Sequence, residues 1–513
     1  MTAPLGHDRK LVTHPAPSGL SSAGLLVRRP RAAVVGAGIA GLTAATALAE
    51  RGIDVTLYER EHHLGGRVGG WAERLPDGTP VTMSRGFHAF FRQYYNLRAL
   101  LTRTDPGLDR LTPVEDYPLI DEEGHTDTFA GLPKTPLLNA FAFAVRSPTM
   151  GLRDLLALKP KAALPLATAS VPGIYRQLDD VDAESFLEAI NFPVAARHLA
   201  FEVFSRSFFA DPAELSAAEL ATMFHLYFLG SNEGLLFDVP ADPFPEALWT
   251  PLAHYLADRR VTIHTGVQVE AIESAGTGFQ VQTADSTAGF EAVVLACEVS
   301  GLKAIVGSSP DLATSAWREG IGRLRAAPGF LVRRLWLNRP VLPERPAFLG
   351  TGSLPPLDNI SLLDRYESEA KRWTARTGGS VVELHAYAAP TEDIQVLARQ
   401  MDKRLHEIYP ETADARVVGE IDLWRQDCPL FEVGGFARRP SVATPVPGLV
   451  LAGDGIRIDL PVALMERAAA TGWAAANTLL SHWGVAGHPT HSVPNHGRLR
   501  VLNRLARRER RTS

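Results

Sequence analysis

The chain has 513 residues, more than one hydrophobic core usually supports, so two or three interleaved units are expected. Hydrophobic residues make up 45% and charged residues 21%, the balance of an ordinary soluble globular protein, and a formal net charge of -5 leaves no electrostatic footprint for nucleic acid. Two cysteines, Cys297 and Cys428, exclude a disulfide framework, a four-cysteine zinc site and a cysteine-ligated iron–sulfur cluster. Electrons handled by this chain must therefore travel through an organic cofactor.

Residues 1–30 carry Pro, Ser, Gly and scattered charge without the apolar run of a secretory signal, and read as a flexible leader. From Arg31 the pattern changes. Ala32 to Val35 form an apolar strand, followed by Gly36, Gly38 and Gly41 at the spacing of a dinucleotide turn: one glycine for the tight bend, one for pyrophosphate approach, one for helix-on-strand packing. The helix expected from Ile39 to Arg51 aims the amides of Ile39 and Ala40 and its positive dipole end at phosphate. A second strand, Val55 to Tyr58, ends at Glu59, whose carboxylate is placed to accept ribose hydroxyls, with Arg60 beside it. Gly65, Gly66 and Arg67 add a second close-approach turn and a phosphate-neutralising cation. This succession reads as the dinucleotide site of a flavin enzyme, and FAD, held noncovalently, is the cofactor expected.

Met83 to Pro106 is crowded with Phe87, Phe90, Phe91, Tyr94 and Tyr95 around Arg85, Gly86 and His88. Between Phe129 and Arg176 the chain is apolar, with Lys134, Arg146, Arg153, Lys159, Lys161 and Arg176 against Asp154 alone; its apolar stretches are too short to span a bilayer and suit an interfacial surface. Phe201, Phe204 and Phe208 share a helical face, as do Phe224, Tyr227 and Phe228. Strand patterns recur from Val261 to Ala296. Leu449 to Ala452 form another buried strand, after which Gly453 and Gly455 permit close approach and Asp454 can accept a ribityl hydroxyl; Pro461 is expected to start the next helix. The tail from Arg498 sets Leu499, Leu502 and Leu505 among seven arginines and one glutamate, a basic segment suited to anionic lipid. His482, His488, His491 and His496 lie among Gly and Pro without a ligand register, so no metal is expected.

These segments resemble the flavin amine oxidase and carotenoid desaturase superfamily over most of the length. The resemblance implies an α/β fold: a discontinuous Rossmann-like FAD-binding domain, from 31–110, 251–300 and 421–484, with an inserted α+β substrate domain from 111–250 and 301–420, and a basic tail from 485 to 513. It also implies that Val269 sets its backbone near adenine, that Gly86 lies on a segment beside the isoalloxazine, and that Met465, Glu466 and Gly472 belong to a helix directed at the flavin's pyrimidine side.

Met83 to Pro106 and the stretch from Asp454 to Trp473 resemble most closely the bacterial isorenieratene synthase family, which desaturates the β-ionone ring of β-carotene with intramolecular methyl migration to an aromatic φ ring. That chemistry needs a dry pocket, cation-stabilising groups and a base. His88 is the polar group expected at the ring, with Arg85 and Asp459 as orienting or charge-balancing partners. Other FAD-dependent desaturases or isomerases of phytoene or ζ-carotene type share every cofactor motif, and a flavin amine or porphyrinogen oxidase stands as a further alternative. A membrane-borne carotenoid implies peripheral contact with the inner face of the cytoplasmic membrane. The residues select no electron acceptor among oxygen, quinone and a partner protein.

Overall fold

In the computed structural model, residues 8–133, 135, 138–196, 208–389, 391 and 393–496 are described. Arg31–Val35 (β1) is apolar at every position after the first and buried there, the pattern of a parallel strand covered on both faces. It leads into the helix Ile39–Glu50 (α1) and the strand Asp54–Glu59 (β2). Three later strands complete the sheet: Thr262–Thr265 (β3), Ala292–Leu295 (β4) and Leu449–Leu451 (β5). Their order is β3-β2-β1-β4-β5 and every pair is parallel. The cofactor sheet is thus assembled from three separated stretches of chain, as the Rossmann-like reading requires.

The helix Leu464–His482 (α2) lies against α1, and both present small residues at the contact. Gly472 meets α1 so closely that a Cβ there would sit 2.4 Å from the Ala40 carbonyl oxygen and 2.7 Å from Thr43 Cβ. Glu466 lies in the first turn of α2 and is buried. Its carboxylate accepts the amides of Asn96 (2.9 Å) and Leu97 (3.0 Å) and so caps the helix Tyr95–Leu101.

A second, seven-stranded sheet runs Val417–Arg425, Phe330–Leu337, Ser380–Ala386, Leu357–Leu362, Phe348–Leu354, Leu119–Ile120, Thr126–Asp127, and is largely antiparallel. One face is covered by the amphipathic helix Ile394–Ile408, through Leu397, Ala398, Met401 and Leu405. The opposite face turns Phe330 and Val332 into an aromatic core shared with the helical residues 174–190 and 215–229. The inserted unit is therefore α+β.

Four expectations are corrected. Residues 8–30 are not a free leader: Val12–His14 pairs antiparallel with Thr490–Ser492, Leu20 exchanges backbone hydrogen bonds with Gly484 and Ala486, and the Asp8 carboxylate accepts the Tyr95 and Ser231 hydroxyls at 2.6 Å each. Residues 485–496 are, by the same pairing, part of the body; the basic segment from 497 onward lies outside the described residues, as do Phe201 and Phe204. The cofactor domain's last stretch begins after Arg425 and not at 421, because Val417–Arg425 hydrogen-bonds along Phe330–Leu337 in the second sheet. Finally, α2 starts at Leu464 and not Pro461, because Leu464 takes a left-handed φ of 51° that separates the turn at 461–463 from the helix.

Gly472→Val tests the helix contact. Overpacking against backbone should destabilise the fold by at least about 2 kcal/mol, read as a lowered melting temperature; an unchanged transition would contradict the packing described.

Candidate active site

The turn between β1 and α1 is shaped by contacts that exclude side chains. Gly36 has φ of 99° and a Cβ on it would lie 2.7 Å from the Ala296 carbonyl oxygen of the neighbouring strand end, while a Cβ on Gly41 would lie 1.8 Å from the Gly36 oxygen. Gly38 caps α1 without a side chain, and the first turn of the helix carries no acid. The positive end of α1 thus faces a cavity of about 1290 Å³ whose wall includes Gly36, Gly38, Ile39 and Ala40. Gly41 is not on that wall; it serves the packing beneath.

Glu59 lines the cavity and accepts the amides of Ala37 (2.7 Å) and Glu61 (2.9 Å), fixing the turn it faces. Burial raises its pKa against those two donors. Arg60 reaches the rim, 3.4 Å from Glu61 and 3.4 Å from Glu298. Gly65 donates to the Ala37 carbonyl at 2.8 Å and rests on Trp249, whose indole nitrogen donates to Val68 at 2.6 Å. Arg67 spans to Asp454 at 2.5 Å, tying the early glycine turn to the late one. Gly65, Gly66, Arg67, Val269, Gly453, Asp454 and Met465 all line the same cavity.

These features fit a dinucleotide: an uncapped helix start, backbone kept bare by glycine, a carboxylate and a cation, in the order the sequence set out.

Past the dinucleotide walls the cavity becomes aromatic. Phe87, Phe91, Tyr94 and Phe208 line it, joined by Phe209 and by Tyr117, Phe237, Phe330 and Phe348. None of Phe224, Tyr227 and Phe228 lines the cavity; Tyr227 stands behind the wall, its hydroxyl meeting that of Tyr94 at 2.9 Å and its ring packing edge-on against Phe91. Phe90 and Tyr95 are buried in the body and do not line the cavity.

Arg85 and His88 do reach it. Arg85 pairs with Asp427 at 2.5 Å and its guanidinium lies 5.4 Å from the centre of the Phe330 ring. Burial opposes ionisation of Asp427, but the hydrogen bond and charge of Arg85 prevail and hold its carboxyl below the usual range. Asp459 is exposed and outside the cavity wall, so the carboxylate that balances Arg85 is Asp427. His88 Nδ1 meets the Gly86 carbonyl at 2.8 Å; a carbonyl only accepts, so Nδ1 carries the hydrogen and Nε2 is left as an acceptor. Burial pushes this ring down to about 4, aided by the charges of Arg85 and Arg67. Gly86 itself is not on the wall: with φ of 90° it makes room for His385, whose ring would be 2.5 Å from a Cβ there.

Sequence reading missed His385, Tyr387 and Glu383. The signal was the alternation in SVVELHAY: Val382, Leu384 and Ala386 pack under the Ile394–Ile408 helix, which turns Glu383, His385 and Tyr387 to the other face.

The sequence profile of the family described as flavin containing amine oxidoreductase matches residues 39–480. A Streptomyces griseus protein named carotenoid phi-ring synthase is 56% identical over 503 residues, spanning 98% of this chain and 97% of the relative. A Chlorobaculum tepidum protein of the same name is 26% identical over 589 residues, spanning 91% of each. Among solved structures, cyclohexylamine oxidase from Brevibacterium oxydans superposes with a TM-score of 0.61 at 17% identity, covering 89% of this chain and all of that one, a likeness of fold.

His88 generates a pH prediction. Between its unfolded value of 6.5 and about 4, the unfolded chain binds a proton that the folded chain does not, so stability falls as pH drops through this window. The slope from this one ring is at most about 1.4 kcal/mol per pH unit. His88→Asn should lose less melting temperature than wild type between pH 7 and pH 5; equal losses would contradict a buried neutral ring.

Proposed function

The chain belongs to the flavin-containing amine oxidoreductases and, within them, to the carotenoid phi-ring synthases, and from that premise we propose that it is an FAD-dependent oxidoreductase converting the β-ionone ring of β-carotene into an aromatic φ ring. The cofactor is a flavin. Its identity as FAD is supported by the run of dinucleotide-type walls. In this reading Val269 borders the adenine and Glu59 the ribose. Gly36, Gly38 and the amides of Ile39 and Ala40 meet the pyrophosphate, with Arg67 as its cation. Asp454 meets the ribityl chain, and the start of α2 at Met465 the pyrimidine side. Noncovalent binding is supported by the two cysteines on the wall: burial pushes Cys297 up to about 12 and Cys428 up to about 11, leaving both as unreactive thiols.

When bound, the flavin supplies a hydride acceptor. The remaining requirements fall on the chain. Aromatising the ring removes two hydrides and two protons and moves one geminal methyl to the neighbouring carbon, by way of ring cations. The aromatic faces of Phe87, Phe209, Phe330 and Phe348 offer those cations a dry, electron-rich wall, and Arg85, neutralised by Asp427, adds no net charge against them. The observation that carries the reading is continuity: one cavity runs from the glycine turn to the aromatic wall, so cofactor and end ring share a single volume.

A C40 hydrocarbon is delivered from lipid, and peripheral contact with the inner face of the cytoplasmic membrane is the access we infer. No helix among the described residues is long and apolar enough to cross a membrane. The helices Leu138–Arg146 and Leu152–Ala157 supply an exposed apolar surface instead, with Leu156 at 85% and nearby Val194 at 76% exposure, beside exposed Arg146, Arg153, Lys159 and Lys161. Phe143 on the inner side of that surface stacks on Phe129, which stacks on Tyr117 of the cavity wall, an apolar path between the two.

Expression in a β-carotene-producing host should yield pigment lighter by four hydrogens per converted ring and co-eluting with an aromatic standard. Unchanged β-carotene, with flavin bound to the purified chain, would overturn the reaction. Flotation at low salt with vesicles containing anionic lipid should carry the protein upward, and Leu156→Glu should reduce the floated fraction several-fold. Protein that stays at the bottom under both conditions would refute the membrane contact.

A further inference from the structure

The ring chemistry proposed above releases protons, and the ionisable groups so far placed at Arg85 are poorly suited to take them. Arg85 is a committed cation. Asp427 is bound to it, and His88 is too weak a base near neutral pH. The cavity wall holds a better device on the strand Ser380–Ala386 and the residue that follows it.

Glu383, His385 and Tyr387 stand two residues apart on the face turned to the cavity and are joined end to end. Arg334 donates to Glu383 Oε2 from Nε at 2.9 Å and from Nη2 at 2.6 Å. On the other oxygen, Oε1, the carboxylate accepts the Phe87 amide at 2.8 Å and His385 Nε2 at 2.9 Å. His385 Nδ1 meets the Tyr387 hydroxyl at 2.6 Å, and that hydroxyl accepts Asn359 Nδ2 at 3.0 Å. Burial opposes ionisation of Glu383, but Arg334 and His385 hold its carboxyl down to about 2, so it acts only as an acceptor. His385 Nε2 therefore carries a hydrogen, and Nδ1 accepts from Tyr387.

Exposure grades along the string. Glu383 and His385 are each 1% exposed, whereas Tyr387 is half-buried and lines the cavity, with the Phe209 ring edge-on at 4.6 Å. The fold spends a buried Arg–Glu pair and a glycine with φ of 90° at Gly86 to seat the His385 ring. A wall built for packing alone has no need of either.

We propose that Tyr387 is the proton acceptor of the ring reaction and that His385 and Glu383 are its positioning residues. The step rests on the reaction proposed above and balances as follows. The C–H bond beside the cationic ring carbon breaks and its electron pair becomes the new ring double bond. The released proton bonds to Tyr387 Oη as the Oη–H proton passes to His385 Nδ1. Positive charge moves from the ring to the imidazole, where the Glu383 carboxylate faces it. Nothing is oxidised or reduced in this step, the electron pair of each oxidation having already left as hydride to the flavin.

The test uses the flavin-loaded full chain with β-carotene in mixed micelles. It compares wild type, Tyr387→Phe, His385→Gln and the double variant, reading flavin content, melting temperature and aromatic product. Tyr387→Phe removes one oxygen and should keep its flavin and its melting transition while product formation falls at least about 100-fold. His385→Gln keeps the phenol and should fall similarly, and the double variant should be no slower than the slower single one, because the groups act as a unit. A solvent deuterium isotope effect on product formation should be present in wild type and absent from Tyr387→Phe. Turnover of Tyr387→Phe at the wild-type rate with an unchanged isotope effect, or losses that multiply in the double variant, would overturn the relay. Failure of the reaction itself shows earlier and separately, as wild-type chain that makes no aromatic product, and removes both.

Discussion

The cofactor cleft is closed by backbone against backbone. Gly36 lies under the carbonyl of Ala296, Gly41 lies over the carbonyl of Gly36, and Gly472 brings the last long helix onto the carbonyl of Ala40. None of these contacts tolerates a Cβ, and together they draw three distant stretches of chain around the positive end of one helix. Arg67 and Asp454, separated by 387 positions in sequence, then bridge the two glycine turns with a charged hydrogen bond. The helix start, the bare turns and this bridge form one wall, and every other part of the site is positioned relative to it.

From that wall the second sheet takes over. Leu331, Leu335, Val382, Leu384 and Ala386 pack on the side sealed by the Ile394–Ile408 helix, which leaves Arg334, Glu383 and His385 on the other side, His385 at the cavity. Arg334, Glu383 and His385 are buried there without a hydrophobic rationale. Buried ionic groups add little net stability even when paired, which directs attention to what they organise. Here they organise the stretch of wall at His385 and Tyr387, in the cavity that Phe87, Phe209 and Phe330 also line.

The sequence made the cofactor half readable because its signals are local. Glycines at fixed offsets, a strand before them and an acid after them are consequences of backbone geometry within about 30 residues. The aromatic half was only partly readable. Phe87, Phe91, Tyr94 and Phe208 were picked out by crowding or helical spacing, but Phe330, Phe348 and Tyr117 reach the cavity through strand pairing between remote segments, which no local pattern announces. Asp459 was the charge-balancing partner that the resemblance suggested, whereas Asp427 reaches Arg85 because the chain leaves the second sheet at Arg425. The two ends of the chain misled for a related reason. Polar, proline-rich composition reads as disorder, yet Val12–His14 and Thr490–Ser492 satisfy each other's backbone as a two-stranded ribbon.

In the proposed reaction one cavity holds the flavin and the carotenoid end ring together. A structure of the flavin-loaded chain with β-carotene bound tests it most directly. The pyrophosphate should lie on the glycine turn of α1, with the end ring between the flavin and the wall formed by Tyr387, Phe209 and Phe330. A carotenoid bound elsewhere, or an end ring separated from the flavin by protein side chains, would contradict it.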